Sequence, residues 1–340
     1  MWMVYLTIMA ICILIPAGIM EVAAKDRENR ELIGKRETQI LKGFAILLVI
    51  VCHYMGNYGL GVTLFTPFGG IGVSIFLILA AYGLNESWKT NGSRGWWRKR
   101  IVAVFIPYAI VQLCFFWPTQ TFSASSLFLD LLFIRTMHVY GWYLNYLVMW
   151  YVLFYVIMRF SILRKYKLWI ILALSICMFF IFGELRAEQS LSFLCGLILS
   201  ESKDLQKSGN SIMKKYINWK WGTLLLIIGM LALAAKQLPL VRQAPTLIFN
   251  AVQLVIKLFS ALGLIAILMS LATKLHLQFF RYVGAISFEL YLIHGYVLKQ
   301  ATITILGAIL FIVVTAAIAI LLWIILQKLS KIERKILRIR

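Results

Sequence analysis

Apolar runs of about 20 residues recur along the whole chain, from "MVYLTIMAICILIPAGIM" at 3–20 to "TITILGAILFIVVTAAIAILLWIILQ" at 302–327. Each is long enough to cross a bilayer as a helix. Hydrocarbon offers the backbone no hydrogen-bond partner, so only helices and closed barrels survive there. The runs are continuous rather than alternating, which argues against a barrel. Of the 340 residues, 62% are hydrophobic, above the roughly half expected of a soluble domain. The sequence therefore predicts an all-α, polytopic transmembrane helical bundle.

Spans are predicted near 3–20, 38–56, 68–88, 101–118, 141–159, 168–183, 189–201, 222–237, 247–272, 280–298 and 302–327, about 11 in all. The stretch 126–137 is too short to cross and reads as an interfacial or re-entrant helix. The net charge of +21 does not imply nucleic-acid binding, because Lys and Arg gather in short loops between apolar runs. Segments 21–37, 89–100, 159–167, 202–220, 274–281 and 328–340 are basic, while 57–67, 119–125, 184–188, 238–246 and 299–301 are poor in cations. The two sets alternate if 126–137 does not cross. The positive-inside rule then puts the N-terminus outside and the C-terminus in the cytoplasm.

The first run lacks a basic leader and a small-residue cleavage site, and reads as a retained span. The expected organisation is an extra N-terminal span and loop at 1–37, a membrane domain at 38–327 and a basic tail at 328–340. Cys12, Cys52, Cys114, Cys177 and Cys195 all lie in apolar runs without C-x-x-C spacing. They read as small hydrophobes, and no metal site is expected.

Ionisable groups inside spans cost several kcal/mol unless paired or facing water, so they point to function. Here they are Lys42, His53, Lys257, Glu289 and His294, with Asp130 and Arg135 in the short helix. Eleven residues separate Lys42 from His53, about three turns plus 20°, so the two share a helix face about 16 Å apart. That face suits an extended ligand with an anionic end at the lysine and a reactive end at the histidine. A snorkelling lysine and a carbonyl-bonded histidine explain it equally well.

In "ISFELYLIHGYV", 286–297, Ser287, Tyr291 and His294 form one polar stripe. Glu289 lies off the stripe, and Lys257 in the preceding span is its expected structural partner. The glycines of "FGGIGVSIFLILAAYGL", 68–84, permit close helix packing or leave room for a cofactor. They are not a phosphate loop, since the Lys-Ser/Thr ending is missing. Arg98, Lys99 and Arg100 in "WWRKRIVAVFIPY" read as topogenic charge or as a phosphate clamp.

Together these stretches resemble the acyltransferase-3 family of integral membrane acyltransferases. The family carries a basic residue, ten intervening residues and a histidine, matched by Lys42 and His53. Its Gly-Val-Ser-Ile-Phe run is matched by Gly72, Val73, Ser74, Ile75 and Phe76. An arginine-rich stretch before a proline is matched in part by "RKRIVAVFIPY", and a Trp-aromatic pair by Trp142 and Tyr143. The Ser-Tyr-Leu-His signature is matched by Ser287, Tyr291, Leu292 and His294. Two departures stand out. Lys42 replaces the usual arginine, keeping the charge without the planar fork. Ile101 and Val104 stand where further arginines are usual.

The resemblance implies transfer of an acyl group, usually acetyl, from cytoplasmic acyl-CoA to a hydroxyl of a cell-envelope carbohydrate or glycolipid. It implies His53 as general base, or as carrier of a transient acyl group. Lys42, Arg98 and Arg100 would bind CoA phosphates, with Gly72 and Ser74 beside the cofactor. Trp142, Tyr143, Glu184, Tyr291 and His294 would line the acceptor end. The competing classes are a transporter or flippase without chemistry, which intramembrane charges also fit, and a receptor or scaffold, which leaves the Lys42–His53 face unexplained.

Overall fold

The computed structural model describes residues 2–22, 33–59, 62–116, 123–138, 140–207, 218–272 and 274–339. Most of the basic segment 21–37, most of 202–220 and much of 119–125 lie outside them. The described residues are predominantly helical, without a strand: α1 (Trp2–Val22), α2 (Lys35–Asn57), α3 (Val62–Asn91), α4 (Trp96–Arg100), α5 (Ile106–Val111), α6 (Ala124–Leu131), α7 (Trp142–Arg159), α8 (Ser161–Lys165), α9 (Lys167–Ile181), α10 (Glu184–Ala187), α11 (Ser192–Lys207), α12 (Trp219–Lys236), α13 (Pro239–Arg242), α14 (Thr246–Ala272), α15 (Gln278–Ala285), α16 (Ser287–Leu298) and α17 (Ile305–Ile339).

Among the described residues five helices are long and apolar enough to cross a membrane: Lys35–Asn57, Phe65–Asn91, Trp219–Lys236, Thr246–Ala272 and Ile305–Lys331. Ala10–Glu21 and Lys167–Ile181 are shorter apolar helices. Two expected spans depart from a regular α-helix. The stretch expected at 101–118 has π-helical turns at Ile101–Phe105 and Gln112–Phe116, on either side of α5. Pro107 cannot donate to the carbonyl four residues back, and its ring displaces that group. A widened turn before it accommodates the mismatch. The stretch expected at 280–298 breaks at Ile286, whose ψ of 16° is not helical.

The chain forms two compact units. The unit made of Ile13–Thr90 and Val152–Ala285 has its core between α2, α3 and α14, with Ile40, Leu41, Ala45, Ile75, Ile78, Ala261 and Ile265 buried together. Lipid tails are as apolar as leucine, so helices in a bilayer associate by close packing rather than by hydrophobic expulsion. Glycines supply that closeness. A Cβ on Gly43 of α2 would run into the Phe280 carbonyl, and one on Gly284 of α15 into the Gln39 carbonyl. Gly222 of α12 lies against Gly263 of α14, and Gly196 of α11 against the Ile78 carbonyl of α3.

Polar bonds close one end of this unit. The buried Asn85 donates to Ser200 Oγ at 2.9 Å and to Glu201 Oε1 at 2.5 Å. Lys167 reaches Glu201 at 2.9 Å, and Lys89 reaches the Ser200 carbonyl at 2.8 Å. Three helices, α3, α9 and α11, are tied there. The last turn of α1 is fixed as well: Glu21 accepts from the backbone N–H of His276 at 2.5 Å and of Leu277 at 2.7 Å, just ahead of α15.

The other unit comprises Met1–Cys12, Asn91–Tyr151 and Ile286–Arg340. In it α16 packs on α17 and α5. Its short helix α6 covers less than the expected 126–137, and the chain turns sharply after it at Phe133, with φ of 58°.

The glycine contacts predict a clear asymmetry. Gly284→Val should lower the thermal unfolding temperature of the detergent-solubilised protein, at a cost of about 1–3 kcal/mol or more. Gly83→Ala, where a Cβ meets nothing within 4 Å, should be neutral or stabilising by about 0.5–1 kcal/mol.

Candidate functional site

Lys42 and His53 are both half-buried on α2. At 100° per residue, Ala45, Val49 and Cys52 lie within about 60° of one another. This arc meets α3: a Cβ on Gly72 would come 2.6 Å from the Ala45 carbonyl and 2.8 Å from Val49, and Cys52 lies under Gly69. Gly43, which meets α15, lies about 120° from Val49. Lys42 and His53 fall between the two packing seams, about 20° and 40° from Val49. The two share one face of α2, with Ile46 wholly buried beside them.

Gly72 serves the close approach of α3 to α2, the packing reading of the two that the sequence left open. Ser74 is wholly buried and donates to Gln189 Oε1 at 2.6 Å, while Gln189 Nε2 donates to the Gly70 carbonyl at 3.0 Å. Glu184 is exposed at the start of α10. Lys257 pairs with Glu188, a carboxylate that the sequence does not mark as its partner. Glu188 follows directly on α10 and is 3% exposed. A buried ammonium needs a carboxylate at contact distance, and the turn after α10 brings one. Gly70 makes room, since a Cβ there would collide with the methylenes of Lys257.

In the other unit Arg98 is exposed and Arg100 half-buried. The Arg100 guanidinium lies over the Trp96 ring, 3.6 Å from its centroid, and donates to the Trp96 carbonyl at 3.1 Å. Beside it opens an apolar cleft of about 140 Å³, with Val104, Phe105, Leu132, Phe133 and Tyr151 among its walls. A cation in the wall of an apolar cleft suits an amphiphile with an anionic head.

Trp142, Tyr143, Tyr291 and His294 are brought into one aromatic cluster. Tyr143 packs edge-on to Tyr291 at 5.2 Å and to Trp142 at 6.4 Å. Tyr291 donates to the Tyr140 carbonyl at 2.6 Å. His294 bonds the Leu290 carbonyl through Nδ1 at 3.0 Å and stacks on Tyr140 at 5.0 Å. Tyr143, Tyr291 and His294 are buried, and only Trp142 is half-exposed.

Sequence reasoning missed the hub beneath this cluster. Asp130, fully buried, accepts from Tyr108 at 2.6 Å, Gln112 at 2.5 Å and the Met137 backbone at 2.5 Å. Tyr296 donates to Gln112 Oε1 at 2.5 Å. His138, in the connector before α7, accepts from the Tyr140 backbone at Nδ1, so its proton sits on Nε2 and goes to the Leu292 carbonyl at 2.9 Å. Burial pushes its imidazole down to about 4, against the raising effect of that carbonyl and of Asp130. It is neutral at physiological pH. Asp130 itself stands out in the sequence as an ionisable group, and the i, i+4 spacing of Tyr108 and Gln112 was the further signal that it had partners.

Among the described residues no group of His, Cys, Asp and Glu could hold a metal ion. The model of the acyltransferase-3 family, described as an acyltransferase domain, matches residues 37–328. No curated protein and no solved structure gives a significant match.

Asp130→Ala would leave three donors without their acceptor, at about 1–3 kcal/mol for each buried group. Its unfolding temperature should fall well below that of wild type, and Asp130→Asn should lose less.

Proposed function

The chain belongs to the acyltransferase-3 family, and from that premise we propose that it moves an acetyl group from acetyl-CoA to a hydroxyl of a cell-envelope carbohydrate or glycolipid. It is a multi-pass membrane acyltransferase. In our reading the chain crosses the bilayer about 11 times, with the N-terminus outside and the C-terminus in the cytoplasm.

The observation that carries the reading is the single face of α2 shared by Lys42 and His53, inside the family-matched range. His53 acts as general base. As the acceptor oxygen attacks the thioester carbonyl, its proton passes to the imidazole; the carbon–sulfur bond breaks, and the imidazolium returns the proton to the CoA sulfur. Imidazole titrates close to working pH and suits both steps. Lys42, Arg98 and Arg100 bind the donor's phosphates. Arg100 is the cation best placed for pantetheine or an acyl chain, because an apolar cleft opens beside it. Trp142 offers a partly exposed ring for a sugar, while Tyr143, Tyr291 and His294 support it from behind.

Free CoA release by purified protein in nanodiscs tests this. His53→Ala should insert and unfold like wild type yet lose about 100-fold or more in kcat, the usual worth of a general base. Unchanged release by that variant contradicts the assignment. Arg100→Ala should raise the KM for acetyl-CoA, with the acceptor KM unmoved.

A further inference from the structure

The cleft beside Arg100 lies wholly within one compact unit, and Arg100 brings the only charge to its walls. The rest of the lining is aliphatic and aromatic. Three wall residues are large, apolar and open at the surface: Trp97 at 39%, Ile101 at 46% and Leu132 at 46% exposed. In a multi-pass membrane protein such a surface belongs against hydrocarbon, so the cleft opens sideways toward lipid. Arg94, Arg98 and Lys99, its neighbours in the chain, are exposed. Tryptophan and basic residues together mark the boundary between membrane and water.

The charge around the cleft has one sign. A guanidinium has five N–H donors; one of Arg100's goes to the Trp96 carbonyl, and the group lies over the Trp96 ring. Along 91–151, which supplies every wall of the cleft, the only acid is Asp130. Asp130 is taken by Tyr108, Gln112 and the Met137 backbone. Among the described residues no carboxylate pairs with Arg100, and Tyr151 is the titratable group that faces it. The complement is an anion joined to hydrocarbon. Anionic lipids of the cytoplasmic leaflet have that chemistry, and basic pockets between membrane helices take their headgroups. A fatty chain asks nothing of these walls but contact.

We propose that the cleft binds an anionic phospholipid of the surrounding leaflet, with its phosphate on Arg100 and the upper part of one acyl chain against Ile101, Val104 and Leu132. The donor's phosphates call on the same guanidinium, so bound lipid and acyl-CoA exclude each other. This exclusion rests on the acyltransferase reading; the lipid site does not.

The test uses the full chain, stripped of lipid in a neutral detergent and given equal amounts of phosphatidylglycerol and phosphatidylcholine. Bound lipid is counted by native mass spectrometry. Wild type should hold one phosphatidylglycerol per chain, about tenfold in preference to phosphatidylcholine, whose choline would meet Arg98 and Lys99. Arg100→Ala should lose that preference. Leu132→Trp, which fills the cleft from a half-open position and keeps every charge, should hold phosphatidylglycerol about tenfold more weakly and unfold at the wild-type temperature. Glycerol phosphate, a headgroup without chains, should displace nothing, and excess CoA should displace the lipid. Equal retention of the two lipids by wild type, or the same preference in both variants, overturns the proposal. Displacement by glycerol phosphate also overturns it, because the site would then read phosphate alone. Lipid that CoA does not displace overturns the exclusion. Arg100-dependent lipid binding by a protein that releases no CoA from acetyl-CoA keeps the site and defeats the acyltransferase reading. His53-dependent CoA release without lipid preference does the reverse.

Discussion

Hydrocarbon answers no hydrogen bond, and the rest of this structure follows from that. A polar group carried into the bilayer must find its partner in the protein or cost several kcal/mol. Lys257 finds Glu188, and Ser74 finds Gln189. Asp130 finds three donors. The same solvent removes the usual driving force for packing side chains together, so helix association falls to small residues. Gly43 against α15, Gly72 against α2 and Gly222 against α14 bring backbones into contact, and each fixes the rotation of a helix about its own axis.

That rotation matters for chemistry. Because Gly43 and the Ala45–Val49–Cys52 arc hold α2 on two sides, the direction of Lys42 and His53 is set by packing rather than by the two residues themselves. A side chain held this way has its orientation fixed before any ligand arrives. The histidine of α16 has a different character. His294 is fully buried, bonded to Leu290 and stacked on Tyr140. Together with Tyr291 it builds a rigid aromatic wall.

Much of the all-helical architecture was legible, because hydrophobicity over 20 residues is a local property and so is the spacing of Lys42 and His53. What failed depended on neighbours distant in sequence. Lys257 was correctly marked as needing a carboxylate. Glu188, which it meets, escaped notice because it sits in a short connector between apolar runs, where a charge looks solvated. The break at Ile286 carries no proline or glycine at that position to announce it. Nearby Gly284 is committed to α2, so the register of 278–285 is dictated by packing. Asp130 looked marginal in a short helix, and its importance appears only when Tyr108 and Gln112 arrive from another helix. The aromatic residues near Trp142 were found as a motif, but their burial against one another was not predictable from type.

The most direct measurement follows the acyl group itself. Purified wild-type protein in nanodiscs would be given acetyl-CoA labelled in the acetyl carbons, with a glycan-rich membrane extract as acceptor. Mass spectrometry would then locate the label. The account predicts labelled acetyl on a hydroxyl of a carbohydrate or glycolipid, with one free CoA formed per acetyl transferred. Acetyl-CoA left intact under conditions where the protein carries an envelope precursor across the bilayer would contradict it and make the chain a transporter.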